Sequence, residues 1–283
     1  MQIVGDLFHR RTNEEMKNQK IDCGKNFDWG RISNDYAKYR DIYPELFYQK
    51  IAERNLCIKN QKILDLGTGT GVLPRNMYYL GGDWTGIDIS ENQILQARKL
   101  SLEAGQRIQY ILGAAEDIAF PESSFDVVTA CQCFFYFEEE RLIPKLAHIL
   151  KDNGRFLLLY MAWLPYEDKI AGESERLVGK YNPNWSGGGE RMRPILVPDC
   201  MFHEFEAVYH EEYEMDISFT RETWNGRMKA CRGIGASLSP EEIEYWEKEH
   251  INLLEKIAPE KFTIKHYGAM LELRRKERTY EGS

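Results

Sequence analysis

The chain has 283 residues, a length that fits one enlarged domain or a domain carrying an insertion. Hydrophobic residues make up 43% and charged residues 29%, the composition of a globular protein with a large core rather than of a disordered chain. No stretch approaches the ~18 consecutive apolar residues of a membrane span, and a net charge of −8 disfavours a nucleic-acid backbone as the main partner.

Residues 1–20 are too polar for the apolar segment of a signal peptide, so a cytoplasmic location is expected. Between 34 and 58, Tyr36, Ala37, Tyr39, Leu46, Phe47, Ile51 and Leu56 recur near helical spacing on either side of Pro44, which predicts two helices. Residues 1–58 are read as an N-terminal helical lid. A short buried strand over 61–66 ends at Gly67-Thr68-Gly69-Thr70-Gly71, and 72–80 can form a helix. A second strand covers 84–88. Ser90 followed by Gln93 predicts a capping box opening a helix to about Glu103. Strands follow at 107–112 and 125–131, then an amphipathic helix over 138–150, a turn at 152–154 and a strand over 155–161. Such alternation, with nearly continuous apolar strands, predicts a parallel sheet covered on both faces by right-handed crossovers, with 59–161 as its core.

Beyond 161 the pattern changes. Tyr166, Tyr181, Trp185 and the run Gly187-Gly188-Gly189 stand among four prolines, and 162–210 is read as an inserted substrate lid. A strand is predicted over 213–219 and helices over 221–231 and 240–257. Residues 261–274 carry two short strand patterns broken at Gly268, expected to close the sheet as an antiparallel hairpin. Residues 211–283 thereby complete the same domain.

Glycines at alternate positions where a parallel strand turns into a helix let a ligand approach bare backbone. A dinucleotide fingerprint would need glycine at position 72, where the chain has Val72, and a phosphate loop would need a Gly-Lys-Ser/Thr ending, which is absent. Asp65, two residues before the first glycine, would repel a pyrophosphate but suits an ammonium group. Asp88 ends the second strand, where doubly wound folds place the acid that accepts ribose hydroxyls. Glu116 and Asp117 offer carboxylates to an adenine amino group, and Ile89 can pack on the base. Together these residues describe a site for adenosine plus an amino acid.

In these motifs, over roughly residues 60–160, the chain resembles the class I S-adenosylmethionine-dependent methyltransferases. Gly113-Ala-Ala-Glu-Asp-Ile-Ala-Phe-Pro-Glu-Ser-Ser-Phe-Asp126 is similar to the small-molecule branch that includes the ubiquinone/menaquinone-biosynthesis and trans-aconitate methyltransferases. The segments 34–44 and 219–227 resemble that branch's N-terminal element and late helix opening. The resemblance implies an α/β fold: a doubly wound, seven-stranded, mostly parallel sheet with a C-terminal antiparallel hairpin and an inserted lid. It further implies S-adenosylmethionine as cofactor, with S-adenosylhomocysteine as product and a small-molecule acceptor. Asp65, Gly67, Thr68, Gly69 and Gly71 would surround the methionine part, Asp88 the ribose, and Ile89, Ala115, Glu116 and Asp117 the adenine. Tyr36 and Arg40 would close over the cofactor carboxylate, while Gln132, Phe135 and Tyr136 would lie by the methyl group and substrate.

Many relatives carry histidine and tryptophan where this chain has Phe135 and Tyr136, so the base of those relatives is missing. Tyr36, Gln132 and His203, with His210 and His266, are the candidates for catalysis. Trp185, Arg191 and Arg193 are candidate substrate ligands, because arginine can grip an anionic acceptor bidentately. Cys131 and Cys133 with Cys200 and His203 offer donors for a soft metal, but cysteines alternating in an apolar strand more often pack as small hydrophobes, and no metal is expected. Two other readings are a catalytically silent cofactor-binding module and a thiol-dependent metalloid methyltransferase.

Overall fold

In the computed structural model, which describes residues 21–24 and 27–277, one sheet organises the chain. Its strands are β1 (Lys62–Leu66), β2 (Asp83–Asp88), β3 (Gln109–Leu112), β4 (Phe125–Cys131), β5 (Leu150–Trp163), β6 (Phe205–Thr220) and β7 (Lys261–Arg275). They lie in the order β3-β2-β1-β4-β5-β7-β6. Neighbours from β3 to β5 run parallel, and β7 lies antiparallel between β5 and β6. The chain builds outward from β1 to β3 and then restarts on the other side at β4. The carboxyl ends of β1 and β4 therefore flank the reversal of strand order, where an open sheet of this kind leaves a crevice.

The period-2 geometry of the strands splits the core into two layers. Ile63, Val127 and Leu157 point into one cluster, and their neighbours Leu64, Val128 and Leu158 into the other. On the first face, Phe47 and Ile51 of the helix Glu45–Glu53 join Trp224 of Arg221–Lys229 and Trp246 of Pro240–Ile257. On the second, Leu142 and Leu146 of Glu139–Ile149 cover the sheet. Burying each such side chain contributes about 1.5–3 kcal/mol, which outweighs the weak helix propensity of the aromatic positions. Glu272 of β7, its side chain 4% exposed, pairs with Arg54 at 3.0 Å and Arg155 at 2.8 Å and so ties the helix Glu45–Glu53 to the sheet.

The N-terminal helices form at Ser33–Tyr39 and Glu45–Glu53, with Pro44 at the second helix's N-cap. The capping box expected at Ser90 is not made. Ser90 is the N-cap of Glu91–Glu103 without a side-chain bond, because Gln93 donates instead to the Trp29 carbonyl and Asp88 receives the Ser90 N–H. The predicted insertion contains a helix, Lys169–Tyr181, capped by Asp168, whose side chain accepts from the Ala171 N–H.

β6 begins at Phe205 rather than at 213, so the boundary drawn at 210 falls inside a strand. Residues 206–213 are half-buried throughout, and burial alternates only from Glu214 to Phe219, which is the stretch with a legible strand period. β6 is also the sheet edge, where charges such as Glu206, Glu212 and Glu214 discourage pairing with another chain. The hairpin expected within 261–274 is not formed: β7 runs unbroken through Gly268, and the antiparallel closure is made by β7 with β6. Gly268 pairs with Tyr213, whose ring covers it so closely that a Cβ there would sit 2.6 Å from the ring. Among the described residues, no helix is long and apolar enough to cross a membrane.

Candidate functional site

The glycine turn after β1 is held from below and from the side. Asp65 is buried, and its Oδ1 accepts a 2.6 Å hydrogen bond from Thr129 on β4. Burial pushes its carboxyl up to about 6, against the opposing pull of the threonine hydroxyls. Gly67, Gly69 and Gly71 all have left-handed φ, at 57°, 57° and 74°. A Cβ on Gly67 would meet Cys133 at 2.9 Å, and one on Gly71 would meet the Tyr110 hydroxyl at 2.3 Å. Gly71 therefore packs against Tyr110 and caps the helix Val72–Met77 instead of lining the crevice.

Gly71→Ala is expected to lower the unfolding free energy by about 2–4 kcal/mol, the sum of a left-handed penalty and overpacking. Gly105, also left-handed but with open space around it, supplies the control. In urea denaturation, Gly105→Ala should lose only the smaller backbone share. Equal losses at the two positions would remove the packing role given to Tyr110.

Above the turn lies a cavity of about 1050 Å³, at the upper end for small-molecule sites. Gly67, Gly69, Asp88, Ile89, Ala115 and Glu116 line its β1–β3 side. Asp88 accepts from the Gly69 N–H through Oδ2 and from the Ser90 N–H through Oδ1, both at 2.8 Å, and burial raises its carboxyl above the usual carboxylate range. Each oxygen keeps a lone pair for a further donor. Ile89 is 76% exposed, an apolar ledge at the cavity edge. Glu116 uses Oε1 to accept from the Glu138 N–H at 2.9 Å, so it also fastens the loop after β4.

Gln132 lines the middle of the cavity, in a left-handed conformation (φ 60°) that costs a non-glycine residue roughly 1–2 kcal/mol. Its backbone N–H donates to the Leu159 carbonyl at 2.8 Å and its side chain donates to the Tyr43 hydroxyl at 2.7 Å, so the strained residue is fixed at both ends. Arg40, Phe135, Tyr136, Trp185 and Arg193 line the remaining walls. The cavity thus gathers residues from the N-terminal segment, the sheet and the insertion.

Other predicted site residues lie elsewhere. Thr68 and Asp65 sit under the turn and do not line the cavity. Asp117 points outward and pairs with Arg141 at 2.8 Å, and Arg191 lies on the surface over the Tyr166 ring. His203 is exposed on the short helix Met201–Glu204, and His210 sits on β6 beside Glu212. His266 is buried, with Nδ1 donating to the Ile264 carbonyl, and burial lowers its pKa to about 3, which leaves the ring neutral. None of these histidines lines the cavity. The side chain of Tyr36 lies outside the described residues.

Cys131 and Cys133 do border the cavity, but burial pushes Cys131 up to about 12 and Cys133 well above its ordinary range, so both are neutral thiols. Among the described residues, no three or more His, Cys, Asp or Glu side chains are placed to hold a metal ion.

Sequence reasoning missed several cavity residues. Phe27 and Trp29 come from the N-terminal segment, Tyr160 from β5, Glu190 from the loop after Lys169–Tyr181, Arg232 from the segment after Arg221–Lys229, and Tyr267 from β7. Arg232 forms a buried ion pair with Asp22, Nε to Oδ2 at 2.8 Å, and its Nη1 donates to the Tyr136 hydroxyl at 3.0 Å. Arg232 and Asp22 are 210 residues apart in sequence, so no local signal marks the pair. Tyr160 did carry a signal, a polar-tipped aromatic in the otherwise apolar run 156–163 at the carboxyl end of β5.

Comparison with known proteins bears on residues 63–154, which match a methyltransferase domain. The chain is 37% identical over 122 residues to the mitochondrial ubiquinone biosynthesis O-methyltransferase of Schizosaccharomyces pombe, covering 42% of each protein. It is 36% identical over 129 residues to the ubiquinone biosynthesis O-methyltransferase of Aromatoleum aromaticum, covering 45% of this chain and 54% of that one. The matches therefore span about half the length of these relatives. Among solved structures, a protein described as a type II methyltransferase from Anaeromyxobacter dehalogenans aligns over 83% of this chain and 97% of its own, with a TM-score of 0.55 at 17% identity. The cyclase SpnF aligns over 88% and 94%, with a TM-score of 0.53 at 18% identity. These two likenesses establish the shared fold.

Proposed function

We propose that this chain, whose residues 63–154 are a class I methyltransferase domain with S-adenosylmethionine as methyl donor, methylates a small-molecule acceptor enclosed in the cavity above the sheet. The observation that carries this reading is the continuity of one cavity from Asp88 and the glycine turn to an aromatic chamber roofed by the insertion. When bound, the cofactor supplies a methyl group on a sulfonium, which an acceptor atom displaces in line.

The donor set fits that cofactor. Gly67 and Gly69 present bare backbone, Asp88 keeps lone pairs for two ribose hydroxyls, and Ile89 offers an apolar ledge for a base. Asp65, beneath the turn, adds negative potential where an ammonium group would lie. Arg40, in the wall on the N-terminal side, suits a carboxylate. Phe135, Tyr136 and Trp185 line the acceptor side of the cavity, so the residues' main contribution is to hold the acceptor atom against the methyl group.

Methyl-labelled S-adenosylmethionine and single acceptors bearing a hydroxyl, an amine or a thiol test the proposal. S-adenosylhomocysteine is expected to form only when an acceptor is present, with the label recovered in the acceptor by mass spectrometry. Cofactor binding without transfer to any of the three classes would instead indicate a binding module.

A further inference from the structure

No histidine lines the cavity among the described residues, and burial holds the bordering thiols protonated; the carboxylates that line it are Asp28, Asp88, Glu116, Glu139 and Glu190. Glu190 lines the cavity with its side chain 13% exposed. Its Oε1 accepts from the Tyr160 hydroxyl at 3.0 Å and its Oε2 from the Tyr267 hydroxyl at 3.3 Å. Arg193 Nη2 lies 3.3 Å from both oxygens. Tyr160 and Tyr267 stand on neighbouring strands, their rings 6.0 Å apart, and Phe135 lies 6.5 Å from Tyr160. Three strand-to-strand steps separate β2 from β5, which puts Tyr160 about 14 Å across the sheet from the Asp88 strand. Gln132, bonded through its backbone to Leu159, lies between them. The carboxylate thus lies on the β5 and β7 side of the cavity, across the sheet from Asp88.

We infer that Glu190 accepts the proton of a hydroxyl acceptor during methyl transfer, with Tyr160, Tyr267 and Arg193 positioning its carboxylate. The inference rests on the methyltransferase reading and deepens it. Both oxygens already receive hydroxyl donors from the chain itself, so the carboxylate suits a hydroxyl, and an acceptor reaches it by displacing the longer of the two contacts, that of Tyr267 at 3.3 Å. The adjacent Arg193 cation disfavours an ammonium acceptor at the same place. In the step, the acceptor oxygen forms a bond to the methyl carbon while the carbon–sulfur bond breaks. The sulfur keeps that electron pair, and the hydroxyl proton passes to Glu190, which releases it to solvent as the product leaves. The groups facing the carboxylate are Tyr160 on β5, Tyr267 on β7, Arg193 on its own loop and Glu175 on Lys169–Tyr181. Burial and Glu190 hold Tyr160 well above the ordinary tyrosine range, so it remains a donor at neutral pH.

The test compares wild type, Glu190→Gln and Tyr160→Phe with S-adenosylmethionine and two matched aromatic probes, catechol and 2-phenylethylamine. Calorimetric binding of the cofactor is the control. Wild type is expected to methylate catechol in preference to the amine. Glu190→Gln should lower kcat at neutral pH by about 10²–10⁴-fold, the range of a positioned base, while cofactor affinity stays within about twofold. Its deficit should shrink as pH rises towards the pKa of catechol itself, because an already ionised acceptor needs no base. Tyr160→Phe should lower kcat by about 2–10-fold, the worth of one hydrogen bond, and it carries the test should Glu190→Gln fail to fold. Three outcomes overturn the assignment while leaving the cofactor reading intact. They are a Glu190→Gln kcat within about threefold of wild type, a deficit equal at all pH values, and no turnover of catechol by wild type that binds cofactor. Failure of wild type to bind S-adenosylmethionine would instead remove the methyltransferase reading itself.

Discussion

Asp88→Ala is expected to weaken S-adenosylmethionine binding by about 2–4 kcal/mol, a loss of roughly 30- to 1,000-fold in affinity. The size of the effect follows from the half-buried position of the carboxylate and from its double acceptor role. Each oxygen takes one backbone N–H, from Gly69 and Ser90, and would take one ribose hydroxyl besides. Alanine removes the ligand contacts and also leaves the Gly69 N–H without its partner, so part of the loss arises in the turn. A cofactor analogue lacking the ribose 2′-hydroxyl separates the two shares, since it should lose affinity against wild type and lose nothing further against Asp88→Ala. An unchanged affinity for S-adenosylmethionine in the variant would mean that the ribose lies elsewhere.

Asp65→Asn is expected to act on stability and on binding in opposite directions. The native carboxyl titrates at about 6 instead of near 3.8, so the folded chain holds a proton more tightly than the unfolded one. Stability therefore falls as pH rises from about 4 to about 6, and above that window the ionised, buried carboxylate costs about 3 kcal/mol. Asparagine carries no such charge and can still accept from Thr129. Urea unfolding at pH 8 should accordingly show Asp65→Asn more stable than wild type by up to about 3 kcal/mol, with the gain gone near pH 4. Cofactor affinity should fall at the same time, because the negative charge proposed to face the ammonium group is lost. A variant less stable than wild type at pH 8 would show that native partners stabilise the charge and that burial is not the dominant influence.

The β1–β3 side of the cavity, lined by Gly67, Gly69 and Asp88, was legible in the sequence because its signals are local. The alternation of short apolar strands with helices, the glycines at 67, 69 and 71, and Asp88 at a strand end each fall within a few residues of the elements that position them. The acceptor side was legible only in outline. Glu190 follows the triple glycine that marked the insertion, yet its partners come from β5 and β7, and nothing in one strand announces a contact with a distant loop. The choice of Arg191, which lies over Tyr166, and the omission of Arg232, which pairs with Asp22, share that cause. The first half of β6 was missed because an edge strand half-exposed on both faces has no two-residue period to read. Gly71 was assigned to the ligand by its place in a glycine motif, whereas the space it leaves is filled by Tyr110.

The claim on which the rest depends is that the cavity beside Asp88 binds S-adenosylmethionine. Calorimetric titration of the purified, cofactor-stripped protein with S-adenosylmethionine and S-adenosylhomocysteine, with NADH as control, tests it most directly. Dissociation constants on the order of micromolar, about −8 kcal/mol, for the first two ligands and none for NADH are the expected result. A folded protein that binds neither sulfur ligand, or binds NADH as well as either, would contradict it.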